Sequence, residues 1–386
     1  MRKHLNYIIM CIAFLSVLVC TATAQIWQLS TLGQFNGTNG SGPNAVLAYG
    51  NDGSFYGTTY SGGCGNYGTV FNLTTNGTLA TLANFGNTNG TNPKGVTAGT
   101  DGNFYGTTYF GGDFFKGTVF VVTTNGTLST LASFGNGSKP NAVMTLGQDG
   151  NFYGTTSLGG DIGYGTVFLA TTNGTLATLF SFANTNGAFP NAALILGSDG
   201  TFYGTTAQGG DNDYGTVFHV ATNGTFATLA SFNNTNGANP NAALTLGNDG
   251  TFYGTTFQGG SNNLGTVFNL TTNGTLTTLV NFNGTNGASP DAALMFGSDG
   301  CFYGTTSMGG SYNAGTVFQL SPIILTSVPL NINEVSNTVV LSWTNPAFTL
   351  QSSPEVTGLY TNIPGTLSPY TSSITGDRQY FRLIGN

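Results

Sequence analysis

The residues able to do chemistry in this chain are few, and most of them recur. Asp52, Asp101, Asp149, Asp199, Asp249 and Asp299 each precede a glycine, at intervals of about fifty residues. Six equally spaced carboxylates suggest a ring fit for a cation or for acid–base work. The physical objection is that catalysis needs partners whose surroundings push their pKa values apart. Asp before Gly is also a turn pair, in which the carboxylate bonds local amides and Gly supplies a positive φ. These aspartates are therefore expected to build turns. His219 is the one histidine beyond His4, and it stands where other copies have Asn72, Val121, Leu169, Asn269 or Gln319. It reads as a strand-surface residue. One imidazole cannot assemble a copper or zinc site, and no Ser-His-Asp or Cys-His set is present. The glutamates, Glu334 and Glu355, lie near the C-terminus, so a glycosidase would have to use Asp pairs. No catalytic residue, metal or cofactor is expected.

The copies differ most in a four-residue loop after a Gly-Gly pair. The loops read Cys64-Gly-Asn-Tyr67, Asp113-Phe-Phe-Lys116, Asp161-Ile-Gly-Tyr164, Asp211-Asn-Asp-Tyr214, Ser261-Asn-Asn-Leu264 and Ser311-Tyr-Asn-Ala314. Variable loops on a rigid scaffold are where binding is usually placed. Tyr67, Phe115, Asp161, Tyr164, Asp211, Asp213, Tyr214 and Tyr312 are the candidate ligand-binding residues. Rings beside amides and carboxylates suit a glycan or a peptide. A carbohydrate-active enzyme using Asp161, Asp211 or Asp213 is the alternative. Asp211-Asn-Asp213 fails as a calcium loop, because Gly215 falls one position early and no Glu follows at the twelfth.

Six copies of a unit near fifty residues must position these loops. Each reads Asp-Gly-x-Phe-Tyr-Gly-Thr-Thr, Gly-Gly, the loop, then Gly-Thr-Val-Phe, and the first five go on to Thr-Asn-Gly-Thr. Turn pairs between short apolar runs predict four antiparallel strands per unit, the content of a propeller blade. The central Gly of Phe-Tyr-Gly-Thr-Thr is expected to let blades approach one another. The variable loops should share one end of each sheet with the long Asn-Gly loops. The sixth copy stops at Leu320, one strand short, while residues 29–35 carry the missing pattern. The N-terminal strand is thus expected to complete the last blade and remove the open edges. The fold class is all-β: a six-bladed β-propeller over residues 25–321, then a small β-sandwich-like module over 322–386.

The repeated Phe-Tyr-Gly-Thr-Thr, Gly-Gly, Gly-Thr-Val-Phe and Thr-Asn-Gly-Thr-Leu resemble the GloVer tandem repeat, named for Gloeobacter and Verrucomicrobia proteins. The resemblance covers residues 25–320. It implies an exported bacterial protein with no defined enzymatic activity, in a family whose members use various C-terminal anchors. In the tail, the Leu341-Ser-Trp343, Leu350-Gln-Ser352, Ser368-Pro-Tyr370 and Tyr380-Phe-Arg-Leu383 runs are similar to a fibronectin-like C-terminal module of secreted Verrucomicrobia proteins.

Composition narrows the partners. Of 386 residues only 5% are charged, against roughly 25% in ordinary domains. The net charge is −7 and the three lysines of the repeats, Lys94, Lys116 and Lys139, are scattered along the sequence. Nucleic acid, which needs clustered cations, is not an expected partner. Residues 1–24 read as a signal peptide: Arg2, Lys3 and His4, an apolar run to Val19, and Ala22-Thr-Ala24 before Gln25. A secreted or cell-surface protein with no stable membrane span after cleavage follows. Cys64 and Cys301 sit at opposite ends of the second strand, roughly 20 Å apart by strand rise, so no disulfide is expected.

Overall fold

A computed structural model describes residues 31–321, 330–335, 338–344, 348–355, 359–363, 367–373 and 380–385. The expected signal peptide, and Leu29 and Ser30 of the expected closing strand, lie outside them. The chain is all-β apart from one 3-10 turn at Asn184–Asn186. It divides into two compact units, 1–206 with 219–227, and 207–218 with 228–386. The division runs through the fourth repeat, whose strands are Ile195–Leu196, Phe202–Thr206, Thr216–Val220 and Phe226–Ser231.

In the first unit each of the first three repeats forms one antiparallel sheet. The first repeat is representative. Its first strand comes in two pieces, Ser41–Pro43 and Ala48–Tyr49, both paired with the second strand, Phe55–Ser61. The third strand, Thr69–Leu73, pairs with the second on one side and with the fourth, Leu79–Asn84, on the other. A bulge between Val70 and Phe71 recurs at Val119/Phe120, Val167/Phe168 and, in the second unit, Val267/Phe268. The second strand is buried on both faces through Tyr56, Gly57, Thr58 and Thr59, as a sheet packed between neighbours requires.

The repeated residues account for these sheets. Tyr56 donates its hydroxyl hydrogen to Asp52 Oδ2 at 2.8 Å, while Asp52 Oδ1 accepts the Ser54 amide. The carboxylate thus ties the turn to the strand that follows it. The same clasp joins Tyr105 to Asp101, Tyr153 to Asp149, Tyr203 to Asp199, Tyr253 to Asp249 and Tyr303 to Asp299. Deeper in the sheet, paired hydroxyls link the second and third strands, as in Thr59 with Thr69 and Thr156 with Thr166. The glycine between Tyr and Thr has a different role from the expected one. A Cβ on Gly57 would stand 2.6 Å from the Phe71 ring, its own cross-strand partner. The space is needed inside the sheet, not between sheets.

Successive sheets of one unit pack through the clasped tyrosine. Tyr56 stacks on Phe104, Tyr105 on Phe152, Tyr153 on Phe202 and, in the second unit, Tyr253 on Phe302, with centroids 3.9–4.4 Å apart. The last residue of each fourth-strand motif adds an edge contact: Phe85 on Phe120, Phe134 on Phe168, Phe232 on Phe268, Phe282 on Phe318. The N-terminal segment follows the same rule. Phe35 meets Phe71 edge-on at 5.0 Å, and the turn at Gly77 lies against the Leu32 carbonyl as Gly126 lies against that of Leu82. Residues 32–35 therefore occupy, beside the first sheet, the place of a preceding fourth strand.

The second unit holds a complete fifth sheet, Thr245–Leu246, Phe252–Thr256, Thr266–Leu270 and Leu276–Asn281, and a sixth sheet of three strands, Met295–Phe296, Phe302–Thr306 and Thr316–Leu320. Val317 is 81% exposed where Val267 is fully buried. Beyond it, Asn331–Val335, Thr338–Ser342 and Tyr370–Ser373 make one small sheet, and Thr361–Asn362, Phe348–Ser353 and Tyr380–Gly385 another. Leu341, Trp343 and Leu350 form their shared core. Cys64 is exposed, Cys301 buried, and both are free thiols.

Two predictions follow from the clasp. Tyr153→Phe keeps the stack on Phe202 but removes the hydroxyl from Asp149, and should lower stability by about 1–2 kcal/mol in denaturant titration; an unchanged midpoint would show the hydrogen bond to be idle. Burial, and then the hydrogen bond to the aspartate, push Tyr56, Tyr105 and Tyr203 up to about 12. The Tyr56 hydrogen bond chiefly lowers Asp52. At Asp149 burial acts upward but is outweighed by bonds from Tyr153 and Asn151. A tyrosine raised in the folded state stabilises fully below its unfolded pKa of about 10, and a lowered aspartate does so above about 4. Stability should therefore be flat across roughly pH 5–9, fall as pH climbs from 10 towards 12, and fall again below 4. A midpoint constant up to pH 12 would contradict the tyrosine part.

Candidate functional site

The variable loops and the long Asn-Gly loops do share one end of each sheet. Gly63 donates its amide hydrogen to Gly37 O, Gly112 to Asn87 O, Gly260 to Asn234 O and Gly310 to Gly284 O. Each of the first five variable loops is also tied to the next repeat through the carbonyl of its fourth residue. Tyr67 O accepts from the Asn92 amide, Tyr164 O from Phe189 and Tyr214 O from Asn239. The backbone of the variable loops is thus tied down by the same bonds in several copies, while their side chains differ.

The third loop position has a structural requirement that the sequence alone obscured. Asn66, Phe115, Gly163, Asp213, Asn263 and Asn313 all have positive φ, between 52° and 92°. Asn and Gly tolerate that region and bulky residues do not. Asn66, Asn263 and Asn313 use their side-chain oxygen to accept the amide hydrogen of the first Gly of the Gly-Gly pair. Asp213 does the same towards Gly209 at 3.0 Å. One of its oxygens is therefore engaged in the turn, which leaves it a lesser candidate for ligand or acid–base chemistry. Phe115 is the opposite case. It holds φ +54° with 63% of its surface exposed. An exposed aromatic in a disfavoured conformation is a mark of a functional position.

The other candidates are placed as follows. Tyr312 is 94% exposed, Tyr67 and Tyr214 just over a third. Asp161 and Asp211 are exposed on their loops. Tyr164 is partly covered by an edge contact with the Phe189 ring. Phe189 itself has φ +56°, at a position before proline that Gly42, Asn92, Lys139, Asn239 and Ser289 fill in other copies with equally positive φ. That second strained ring was missed in the sequence, where the residue before each proline seemed part of a loop. His219 is half-buried, its ring 5.9 Å from that of Tyr203. At the opposite end of the fifth and sixth sheets, a cavity of about 630 Å³ is lined by Asp249, Tyr253, Phe296, Phe302 and Leu320. Most of these are scaffold residues that every repeat carries.

The Gloeobacter/Verrucomicrobia repeat family matches residues 19–198 and 140–331, two overlapping stretches that together span most of the chain. This chain belongs to that family. No curated protein matches it. Among solved structures, a gluconolactonase from Xanthomonas campestris superposes with a TM-score of 0.43 at 12% identity, covering 74% of this chain and 88% of its own. A chain of the nidogen/laminin complex gives 0.43 at 15%, covering 70% and 94%. A protein from Lactobacillus plantarum gives 0.45 at 16%, covering 89% and 88%. At such scores and identities no function follows from them. Among the described residues no helix is long and apolar enough to cross a membrane.

The strain at Phe115 makes a direct test. Phe115→Asn should raise stability by about 1 kcal/mol by placing a tolerant residue at positive φ, read as a higher unfolding midpoint. A lower midpoint would mean that the ring is held by packing.

Proposed function

We propose that this family member is an exported, non-enzymatic β-propeller that binds a glycan or a peptide at its variable-loop end. The observation that carries the reading is the division of labour within each repeat. Clasp, hydroxyl pair and stacking residues are shared by the copies, whereas exposed rings at Tyr67, Phe115, Tyr214 and Tyr312 stand where the copies differ. Preset aromatic surface on a rigid backbone favours recognition, because little side-chain freedom is lost on binding. Residues 1–24 would direct export to the cell surface or beyond, and 322–386 would form a separate module.

The test is a glycan and peptide array probed with the wild type and with the combined Tyr67→Ala, Tyr214→Ala and Tyr312→Ala variant. At least about a tenfold loss of affinity is expected, given roughly 1 kcal/mol or more per contacting ring. Binding that ignores these changes would refute the loop end as the site. Polysaccharide turnover abolished by Asp211→Asn would replace the reading with an enzymatic one.

The finer architecture proposed is six blades closed by residues 29–35 as the fourth strand of the last. Support comes from the placement of Leu32–Phe35 as a preceding fourth strand; among the described residues the sixth sheet keeps three strands and Val317 is exposed, an edge that the proposed strand would cover. Closure would bury Val317, so Val317→Asp should cost several times more stability than the roughly 0.5 kcal/mol of a surface change. An effect within that small range would speak for an open end.

A further inference from the structure

The three lysines of the repeats, scattered in sequence, gather in one region of the first unit. Lys94 Nζ lies 4.7 Å from the centre of the Tyr109 ring and 5.3 Å from that of Tyr60. Lys139 Nζ approaches Tyr109 and the adjoining Phe110 at 5.8 and 5.9 Å. The Lys139 amide donates to Lys116 O at 3.2 Å, which places the pair beside the Phe115 loop. Two ammonium groups thus flank one tyrosine ring, and neither meets a carboxylate among the described residues.

The scaffold does not explain this arrangement. Lys94 follows Pro93 at a position where other repeats carry Asn44, Asn141, Asn191, Asn241 or Asp291. It is half-buried, and burial alone lowers its pKa, with no compensating anion. A partly desolvated cation is costly unless paired, and aromatic faces offset only part of that cost. Lys139 holds φ +57° at the strained position before proline, where Asn92 and Asn239 fit without difficulty. Asn92 and Asn239 also bond the preceding repeat there, through Tyr60 O and Ala207 O. Lys139 has given up that contact and accepts strain, yet its ammonium is directed to the same ring as Lys94.

The first strand of the second repeat is shaped to bring Lys94 in. One residue fewer between Pro93 and Asp101 turns the two-piece strand of the first repeat into a single strand, Thr91–Ala98, whose register shifts between Pro93 and Val96. Gly95, at φ +102°, has no room for a side chain, since a Cβ would stand 2.4 Å from Val143 and 2.9 Å from Ala45. A cavity of about 220 Å³ opens beside Lys94, lined by Asn44, Val46, Asn141 and Val143. Among the described residues, the Asn44 and Asn141 side chains bond to no other side chain.

We propose that Lys94 and Lys139 hold the carboxylate of an acidic saccharide, a uronate-containing glycan. Two ammonium groups, each within 6 Å of the Tyr109 ring centre, are available for charge-assisted hydrogen bonds to a carboxylate. The partly exposed faces of Tyr60 and Phe110 offer stacking surface to a sugar ring, and Asn44 and Asn141 offer amides to its hydroxyls. The inference rests on the binding reading above and names the ligand class for the part of the loop end formed by the first, second and third repeats.

The test is calorimetric titration of the full mature chain with galacturonate, glucuronate and mannuronate oligosaccharides, their methyl esters, and neutral oligosaccharides of matched length. At least one acid series should bind, weaken at least about tenfold in Lys94→Met and in Lys139→Asn, and weaken as salt rises. Lys139→Asn should leave the unfolding midpoint unchanged or raised, which separates lost binding from lost folding. Equal binding of methyl ester and acid, or variants that bind the acid like the wild type, would overturn the proposal. If neutral glycans bind and no acid is preferred, the acidic-sugar inference fails while the loop-end reading stands. If no glycan or peptide binds at all, both fail.

Discussion

The first, second, third and fifth sheets each depend on a tyrosine held between two partners. Its hydroxyl is fixed by the aspartate of the preceding turn, and its ring lies flat on the phenylalanine of the next sheet. Tyr153 is an example: 2.7 Å from Asp149 Oδ2 and 4.1 Å, ring to ring, from Phe202. The hydrogen bond orients the ring, and the ring joins one repeat to the next. A phenylalanine could stack but would not be oriented, and an unclasped turn would leave the strand start free to shift. The aspartates that look like a catalytic ring are therefore committed to architecture, and their tyrosines resist ionisation for the same reason.

Much of this was legible in the sequence because it is written six times. Turn pairs, strand order, the aspartate's structural role and the missing fourth strand all come from aligning copies. What could not be read is what depends on distance between side chains. The glycine of Phe-Tyr-Gly-Thr-Thr was expected to serve packing between blades, but Phe71 and its equivalents fill the space from within the sheet. The lysines appeared scattered, because separation along the chain hides positions that strand pairing brings together. The left-handed requirement at the third loop position was also hidden. Asn66, Gly163 and Asn313 satisfy it quietly, and only the structure marks Phe115 and Asp213 as different answers to one constraint.

That constraint explains how the surface can vary while the fold does not. The carbonyls and amides of the loops are bonded to the neighbouring loop and the next repeat, so a change of side chain at Tyr67, Asp161 or Tyr312 disturbs no backbone partner. Phe115, Lys139 and Phe189 depart from the easy residue and hold a positive φ that costs conformational energy. These three departures fall in the second, third and fourth repeats. Function is best sought there, in residues the repeat does not need.

The most direct measurement concerns whether the repeats close. Thr69 pairs with Asn84 and Thr266 with Asn281 across the third and fourth strands. By the same alignment Thr316 should face Gln34 if the N-terminal strand completes the last sheet. In a background of Cys64→Ser and Cys301→Ser, Gln34→Cys with Thr316→Cys would, if the strand closes the last sheet, place two thiols at about 5 Å between Cα atoms, within disulfide reach. Closure predicts a disulfide formed under mild oxidation, seen as a mass loss of about two hydrogen atoms and a linked peptide pair after digestion. Two thiols that stay free and fully alkylated in the folded protein would contradict it.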